Sequence, residues 1–271
     1  MRILDFYFNM LSGLDKDSIR RDLTWLFRET LANVSPEEWA NCDLSDEAAA
    51  VLADGVDRLA KGEPLAYILG DAEFYWCKIG VSPDVLIPRP ETEGLCDLAI
   101  RQNRGKSVRA LDLCTGSGCI AIALKKTCPD WEVVAVDVSL NALNMARSNA
   151  ESNNAEILFV ESDMWQNVTG TFDVLVSNPP YIDSRGMTEL PQSVKDFEPH
   201  LALYGGEDGL DFYRDIAARA PEFLAPDGRI YLEVGDGQAG AVADLLQENF
   251  VEIEILRDLY KVERYVVARR K

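Results

Sequence analysis

From Val108 onward the chain alternates short apolar runs with helical stretches, the pattern of a parallel sheet covered by helices. Arg109–Leu113 is predicted as the first strand, Cys114-Thr115-Gly116-Ser117-Gly118-Cys119 as a tight turn, and Ile120–Lys126 as a helix. Val133–Val136 forms a second strand that ends at Asp137, 19 residues after Gly118. An acid at that distance from a glycine turn reads as a ligand for ribose hydroxyls. The turn has no third glycine, as a dinucleotide fingerprint would, and no Gly-Lys-Ser/Thr of a P-loop. The ligand it suits is therefore a nucleoside without a pyrophosphate.

A second stretch narrows the chemistry. Phe172-Asp173-Val174-Leu175-Val176-Ser177 reads as a buried strand. It breaks at Asn178-Pro179-Pro180-Tyr181, because proline cannot donate to a ladder. Ligands of open α/β sheets bind at the carboxyl ends of strands. There Asn178 offers a side-chain carbonyl and Pro179 a backbone carbonyl, two acceptors for the two hydrogens of one planar NH2 group. Tyr181 is placed to lie against the flat group that bears it. The alternative for this motif alone is a strand followed by a Pro-Pro turn with an Asn cap. A strand over 157–160 leads into Asp163 and Met164, and Asp163 is placed to accept from an amino group.

The remaining segments frame this core. Residues 1–70 read as a helical bundle. Ile19, Leu23, Leu26, Phe27 and Leu31 share one face, and Val51, Leu52, Val56 and Leu59 form a second stripe. Ser35-Pro36-Glu37-Glu38 has the form of a capping box. Glu73–Trp76 and Lys78–Val81 read as the two strands of a hairpin within a linker spanning 71–90, and a helix begins near Glu91 or Thr92. Residues 183–209 read as a loop beside the site. A helix over 210–224, a strand over 229–234, a helix over 239–248 and two strands close a domain spanning 91–271.

Charge and cysteine usage exclude some functions. The net charge of −19 lacks the basic footprint of a duplex binder, so a basic protein is a better partner than free nucleic acid. The six cysteines form no Cys-x-x-Cys pair and the chain has one histidine, so no metal site is expected. No signal peptide, transit peptide or membrane span is legible, and a cytoplasmic location is expected.

Several motifs together resemble a known family. LDLCTGSGCIAIAL with Asp137 is similar to class I S-adenosylmethionine-dependent methyltransferases. Asn-Pro-Pro-Tyr resembles the subset that methylates planar amino groups. With EPLAYILG (63–70), IPRPETE (87–93), AVDVSLNALNMARSNA (135–150), EPHLALYGGEDGLDFYRDI (198–216) and LEVGDGQ (232–238), the chain resembles the release factor glutamine N5-methyltransferases, the PrmC/HemK family. That resemblance implies a Rossmann-like seven-strand α/β domain preceded by a helical bundle and a β-hairpin linker.

It also implies methyl transfer from S-adenosylmethionine to the glutamine of the Gly-Gly-Gln motif of peptide chain release factors. Cys114, Thr115, Gly116, Ser117 and Gly118 would wrap the methionine part of the cofactor, Asp137 would bind the ribose, and Asp163 and Met164 would border the adenine. Asn178, Pro179, Pro180 and Tyr181 would hold the substrate amide, with Asn178 and Tyr181 catalytic and Asn178 also against the cofactor. IPRPETE sets the chain apart from the sister enzymes that methylate a ribosomal protein. Two rival functions are an adenine amino-methyltransferase of nucleic acid and a non-catalytic module that docks a translation factor. Cys114 stands where the family often has Gly, so the backbone there is expected to stay open to an L-residue. Asp258–Arg264 lacks a Gly common in the family, which bears on the final hairpin.

Overall fold

Two amphipathic stripes account for the first part of the structure, a computed structural model that describes residues 1–12 and 17–271. Helices α1 (Ile3–Ser12), α2 (Asp17–Thr30), α3 (Asp46–Ala60) and α4 (Leu65–Leu69) form one unit, residues 1–70, with which 191–197 also group. Leu23, Leu26, Phe27 and Leu31 are buried as a stripe against Leu52, Val56 and Leu59, around Ile3, Phe6 and Trp39. Each such side chain contributes about 1.5–3 kcal/mol on burial. Val51 departs from the expected stripe: it is 57% exposed. The Ser35 box caps only the single 3-10 turn Pro36–Glu38, with the Ser35 hydroxyl and N–H both donating to Glu38 Oε2. The longer helix α3 starts at a different cap, where Ser45 Oγ accepts from the Ala48 N–H at 3.2 Å.

The second unit covers 71–190 and 198–271. It opens with the hairpin β1 (Asp71–Phe74) and β2 (Cys77–Gly80). The expected strands are displaced here, because Tyr75 and Trp76 form the turn itself, with φ of 47° and 64°. Left-handed φ at both central residues gives a twist that suits a tight hairpin, a role usually filled by Asn-Gly. Tyr75 is held by α5 (Pro90–Gln102): its N–H donates to Glu93 Oε1 at 2.9 Å and its hydroxyl to Asp97 Oδ1 at 2.8 Å. The hairpin groups with this unit through Asn149, whose side chain exchanges hydrogen bonds with the Gly80 backbone and donates to Ser117 O.

Next come β3 (Arg109–Leu113), α6 (Cys119–Thr127), β4 (Glu132–Asp137), α7 (Leu140–Ser152), β5 (Leu158–Glu161) and β6 (Phe172–Ser177). The segment read as a loop over 183–209 contains two short helices, α8 (Ser184–Glu189) and α9 (Gln192–Phe197), and a 3-10 turn, His200–Ala202. Asp183 caps α8 by accepting from the Gly186 N–H, a local hydrogen bond that Gly- and Pro-rich composition hides. Then follow α10 (Asp211–Phe223), β7 (Leu224–Glu233), α11 (Ala239–Leu246), β8 (Phe250–Arg257) and β9 (Glu263–Arg270).

The seven strands run in the order β5-β4-β3-β6-β7-β9-β8, all parallel except β9, which is antiparallel to both neighbours. Leu111, Leu113, Val134, Val136, Leu175, Ile230 and Leu232 fill the core on this sheet. From β3 the chain proceeds outward through β4 and β5, and β6 lies on the other side of β3. The order therefore reverses at β3/β6, and a crevice opens outside the carboxyl ends of the strands at such a point. No helix among the described residues is long and apolar enough to cross a membrane.

Candidate active site

A cavity of about 230 Å³ lies at that reversal. Its wall on the β3 and β4 side is the glycine turn, pinned by two acids. Asp137, at the end of β4, accepts from the Gly116 N–H at 2.8 Å and from the Ser139 N–H at 2.9 Å. Burial raises its carboxyl above the usual range, and the backbone N–H bonds oppose that rise. Asp112, fully buried in β3, accepts from the Thr115 hydroxyl at 2.5 Å and from the Ala121 N–H at 3.1 Å. Burial pushes Asp112 up to about 7.

The turn depends on left-handed backbone. Gly118 has φ +81°, and a Cβ there would stand 3.0 Å from the Ala146 Cβ, so it needs glycine on both counts. Cys114 has φ +64°. The backbone therefore keeps a glycine-like conformation although the residue is chiral, at a cost of about 1–2 kcal/mol. Its Sγ lies 3.9 Å from the Met164 Sδ across the cavity wall, and burial raises the thiol well above its ordinary value. Asp163 and Met164 line the cavity beyond β5, where the Ser162 hydroxyl donates to Met164 O at 2.9 Å.

Beyond β6, Ser177 anchors the strand end by donating from its hydroxyl to Leu113 O at 2.6 Å. Asn178 follows and lines the cavity, as does Pro180. The Asn178 Nδ2 donates to Thr92 Oγ1 at 3.2 Å, and the Thr92 hydroxyl donates to Glu233 Oε2 at 2.7 Å. Burial pushes the Glu233 carboxyl up to about 7, opposed by the Thr92 hydrogen bond.

Of the residues expected at the site, Cys114 to Ser117, Asp137, Asp163, Met164, Asn178 and Pro180 line this one cavity. Gly118 lies behind it as the cap of α6, and Pro179 and Tyr181 are not on its wall. Tyr181 packs against the sheet core instead, and burial pushes its phenol up to about 12. Its carbonyl accepts from Gln238 Nε2 at 2.9 Å. Gly205 allows this approach, since a Cβ on it would meet the Tyr181 Cα at 2.6 Å.

Sequence reasoning gave no role to Thr92, Glu198, Glu233 or Gln238. Arg89 also lines the cavity. Glu198, only 6% exposed, accepts from Arg89 Nη2 at 2.5 Å and from the Ile87 N–H at 3.3 Å. It thereby ties the segment before α10 to the stretch before α5. Thr92, Glu198, Glu233 and Gln238 all lie inside the quoted motifs IPRPETE, EPHLALYGGEDG and LEVGDGQ, so the signal was the motif itself rather than any pairing.

A seven-stranded sheet of this order, with a glycine turn and an acid at its crevice, defines a class I methyltransferase. Residues 98–194 match the Methyltransferase small domain family and residues 3–70 the PrmC N-terminal domain. A methyltransferase crystal structure from Pyrococcus furiosus shares the fold, with a TM-score of 0.55 at 18% identity over 71% of this chain and 88% of that one. The release factor glutamine methyltransferase of Lactococcus lactis is 38% identical over 264 residues, 96% of this chain and 97% of the relative. The release factor glutamine methyltransferase of Streptococcus pneumoniae is 41% identical over 226 residues, 83% of this chain and 81% of the relative. The chain belongs to the release factor glutamine methyltransferase family.

Proposed function

We propose that this chain transfers a methyl group from S-adenosylmethionine to the side-chain nitrogen of the Gly-Gly-Gln glutamine of a peptide chain release factor. The observation that carries the reading is the commitment of the Asn178 Nδ2 to Thr92, beside a cavity whose opposite wall is the Asp137 turn. With its NH2 end engaged, Asn178 offers the carbonyl Oδ1 to an incoming NH2.

The residues present suit the cofactor. Asp137 spends one lone pair of each oxygen on a backbone N–H and keeps acceptor capacity for two hydroxyls. The Gly116–Ser117 segment borders the same space, with Asp163 and Met164 at its far side. When bound, S-adenosylmethionine supplies a methyl group already activated by the sulfonium.

What the protein adds is orientation and exclusion of water. An amide nitrogen is a poor nucleophile because its lone pair is delocalised. Asn178 Oδ1 accepts one N–H and turns the amide plane, so that the nitrogen presents its face to the methyl carbon. Placement of this kind supplies roughly 7–11 kcal/mol of a barrier. One amide proton leaves with the transfer, so that the methylated amide is neutral.

Every residue lining the cavity falls between Pro83 and Phe212, outside both segments of the helical unit. That unit, 1–70 with 191–197, is assigned to holding the protein substrate, and the reaction to the cytoplasm, where release factors act. Mass spectrometry of a release factor after incubation with enzyme and cofactor should find one added methyl on that glutamine. Absence of the methyl group, or methyl transfer to adenine in nucleic acid instead, would overturn the reading.

A further inference from the structure

Two neighbouring strand ends and one helix start converge on Asn178. Ser177 is in register with Leu232, so the next residues, Asn178 and Glu233, leave adjacent parallel strands side by side. Thr92, in the first turn of α5, bridges them through the two hydrogen bonds given above. Thr92 and Glu233 are each only 2% exposed. The strand end carrying Glu233 is fixed in turn, because its backbone carbonyl accepts from the Tyr213 hydroxyl at 2.7 Å.

The direction of these bonds follows from chemistry. An ionised carboxylate only accepts, and a hydroxyl has a single hydrogen to give. Thr92 must therefore spend its hydrogen on Glu233. What remains toward Asn178 is a lone pair, so Asn178 must turn its NH2 end to Thr92. An amide in place of the carboxylate removes the constraint. It can offer its own NH2 to Thr92, whose hydrogen is then free to point at Asn178 and receive the inverted amide.

We propose that Glu233 is a positioning residue that acts through Thr92 to hold the Asn178 carbonyl toward the substrate amide. This rests on the reading of Asn178 as the acceptor for the substrate NH2. Glu233 is not on the cavity wall and touches neither reactant; its effect on turnover is transmitted by one hydroxyl.

The experiment compares Glu233→Gln, Thr92→Val, Thr92→Ser, Asn178→Ala and the double variant Asn178→Ala/Glu233→Gln. All are full-length and checked by melting temperature, with a release factor and S-adenosylmethionine as substrates. Glu233→Gln and Thr92→Val should each lower kcat about tenfold or more, as loss of alignment does. Both KM values should stay within about twofold, the mark of an interaction made in the transition state. Thr92→Ser restores the hydroxyl and should recover most of kcat. The double variant should be no slower than Asn178→Ala alone.

If Asn178→Ala is slow while Glu233→Gln and Thr92→Val turn over at the wild-type rate, the positioning role is wrong and the reading of Asn178 stands. A double variant slower by the full Glu233→Gln factor would likewise place the effect of Glu233 elsewhere. If Asn178→Ala itself keeps the wild-type kcat, the reading of Asn178 falls and the inference with it. Should Glu233→Gln not fold, the two Thr92 variants decide the matter.

Discussion

The side-chain amide of Asn178 donates to the hydroxyl of Thr92, a residue 86 positions earlier in the chain, at 3.2 Å. This bond ties the side chain proposed to receive the substrate amide to a helix start and, through Thr92, to a neighbouring strand end. Replacing Asn178 by Ala should lower kcat at least tenfold, from a lost acceptor at about 1–3 kcal/mol together with misalignment. Its melting temperature should move little. Asn178→Asp is the sharper probe: it cannot donate to Thr92, so two acceptors would meet and the Thr92 hydrogen would be contested. Single-turnover rates for both variants test this, and a wild-type rate in Asn178→Ala rules out the mechanism.

Asp137 holds the glycine turn and borders the cavity at once. Asp137→Ala should weaken S-adenosylmethionine binding by about 1.5–3 kcal/mol, the worth of hydrogen bonds to a charged group. Asp137→Asn retains one acceptor and should lose less. Titration calorimetry giving unchanged affinity in the alanine variant would contradict the ribose assignment.

Activity should fall in acid because of Glu233. Its carboxyl is pushed up to about 7 by burial. As pH drops through that value the protonated form gains a hydrogen and no longer forces Thr92 to donate to it. Arg89, Glu91, Arg264, the phenols of Tyr181, Tyr213 and Tyr265 and the thiols of Cys96 and Cys119 are within electrostatic reach of it. Burial raises those phenols and thiols, which takes them further from neutrality. The expected result is a kcat limb with a midpoint near 7 that is missing from Glu233→Gln; a limb of unchanged shape in the variant would assign it to another group.

Asp112 gives a pH effect on stability with a defined sign. Burial pushes its carboxyl from the ordinary 3.8 up to about 7 in the folded protein. Between those values the folded state keeps a proton that the unfolded chain has released, so stability declines as pH rises through the window. The contribution is complete below about 4 and gone above about 7, and amounts to a few kcal/mol. Denaturant titrations across that range should show a flatter profile for Asp112→Asn than for the wild type; parallel profiles would refute the assignment.

Cys114 carries a side chain in a backbone shape that glycine adopts freely. Cys114→Gly removes about 1–2 kcal/mol of strain, offset by roughly 0.5–1 kcal/mol of extra chain entropy and by loss of the contact with Met164. Unfolding free energy should therefore shift by less than about 1 kcal/mol, while the β-branched Cys114→Val should lose clearly more. Equal losses in the two would show that the backbone there is not strained.

The strands and most helices were legible because each carries its own period. Leu26 and Phe27 each lie about one helical turn from Leu23, and Val133–Val136 is a run long enough for one buried strand. What stayed hidden was conformation that residue type argues against. Tyr75 and Trp76 are strand formers by composition, yet they turn the hairpin with positive φ. The sequence places Tyr181 against the flat group of a substrate, and it says nothing of the packing of this partly buried side chain against the sheet core. Asn178 was found because it interrupts a strand. Thr92 and Glu233 were not, because their partnership spans 141 positions and exists only once α5 lies across the ends of β6 and β7.

The pairing of β6 with β7 is irregular at one end only. Phe172 pairs with Leu224 and Val174 with Arg229, so the four residues 225–228 stand opposite Asp173 alone, and from Arg229 to Leu232 the match is one to one. An added or deleted residue within 225–228 would be absorbed by slack already present. The same change after Arg229 would slip the strand by one place and turn Glu233 to the opposite face of the sheet. A few positions therefore separate a segment free to vary in length from one whose length is fixed by the spacing of two strand tips.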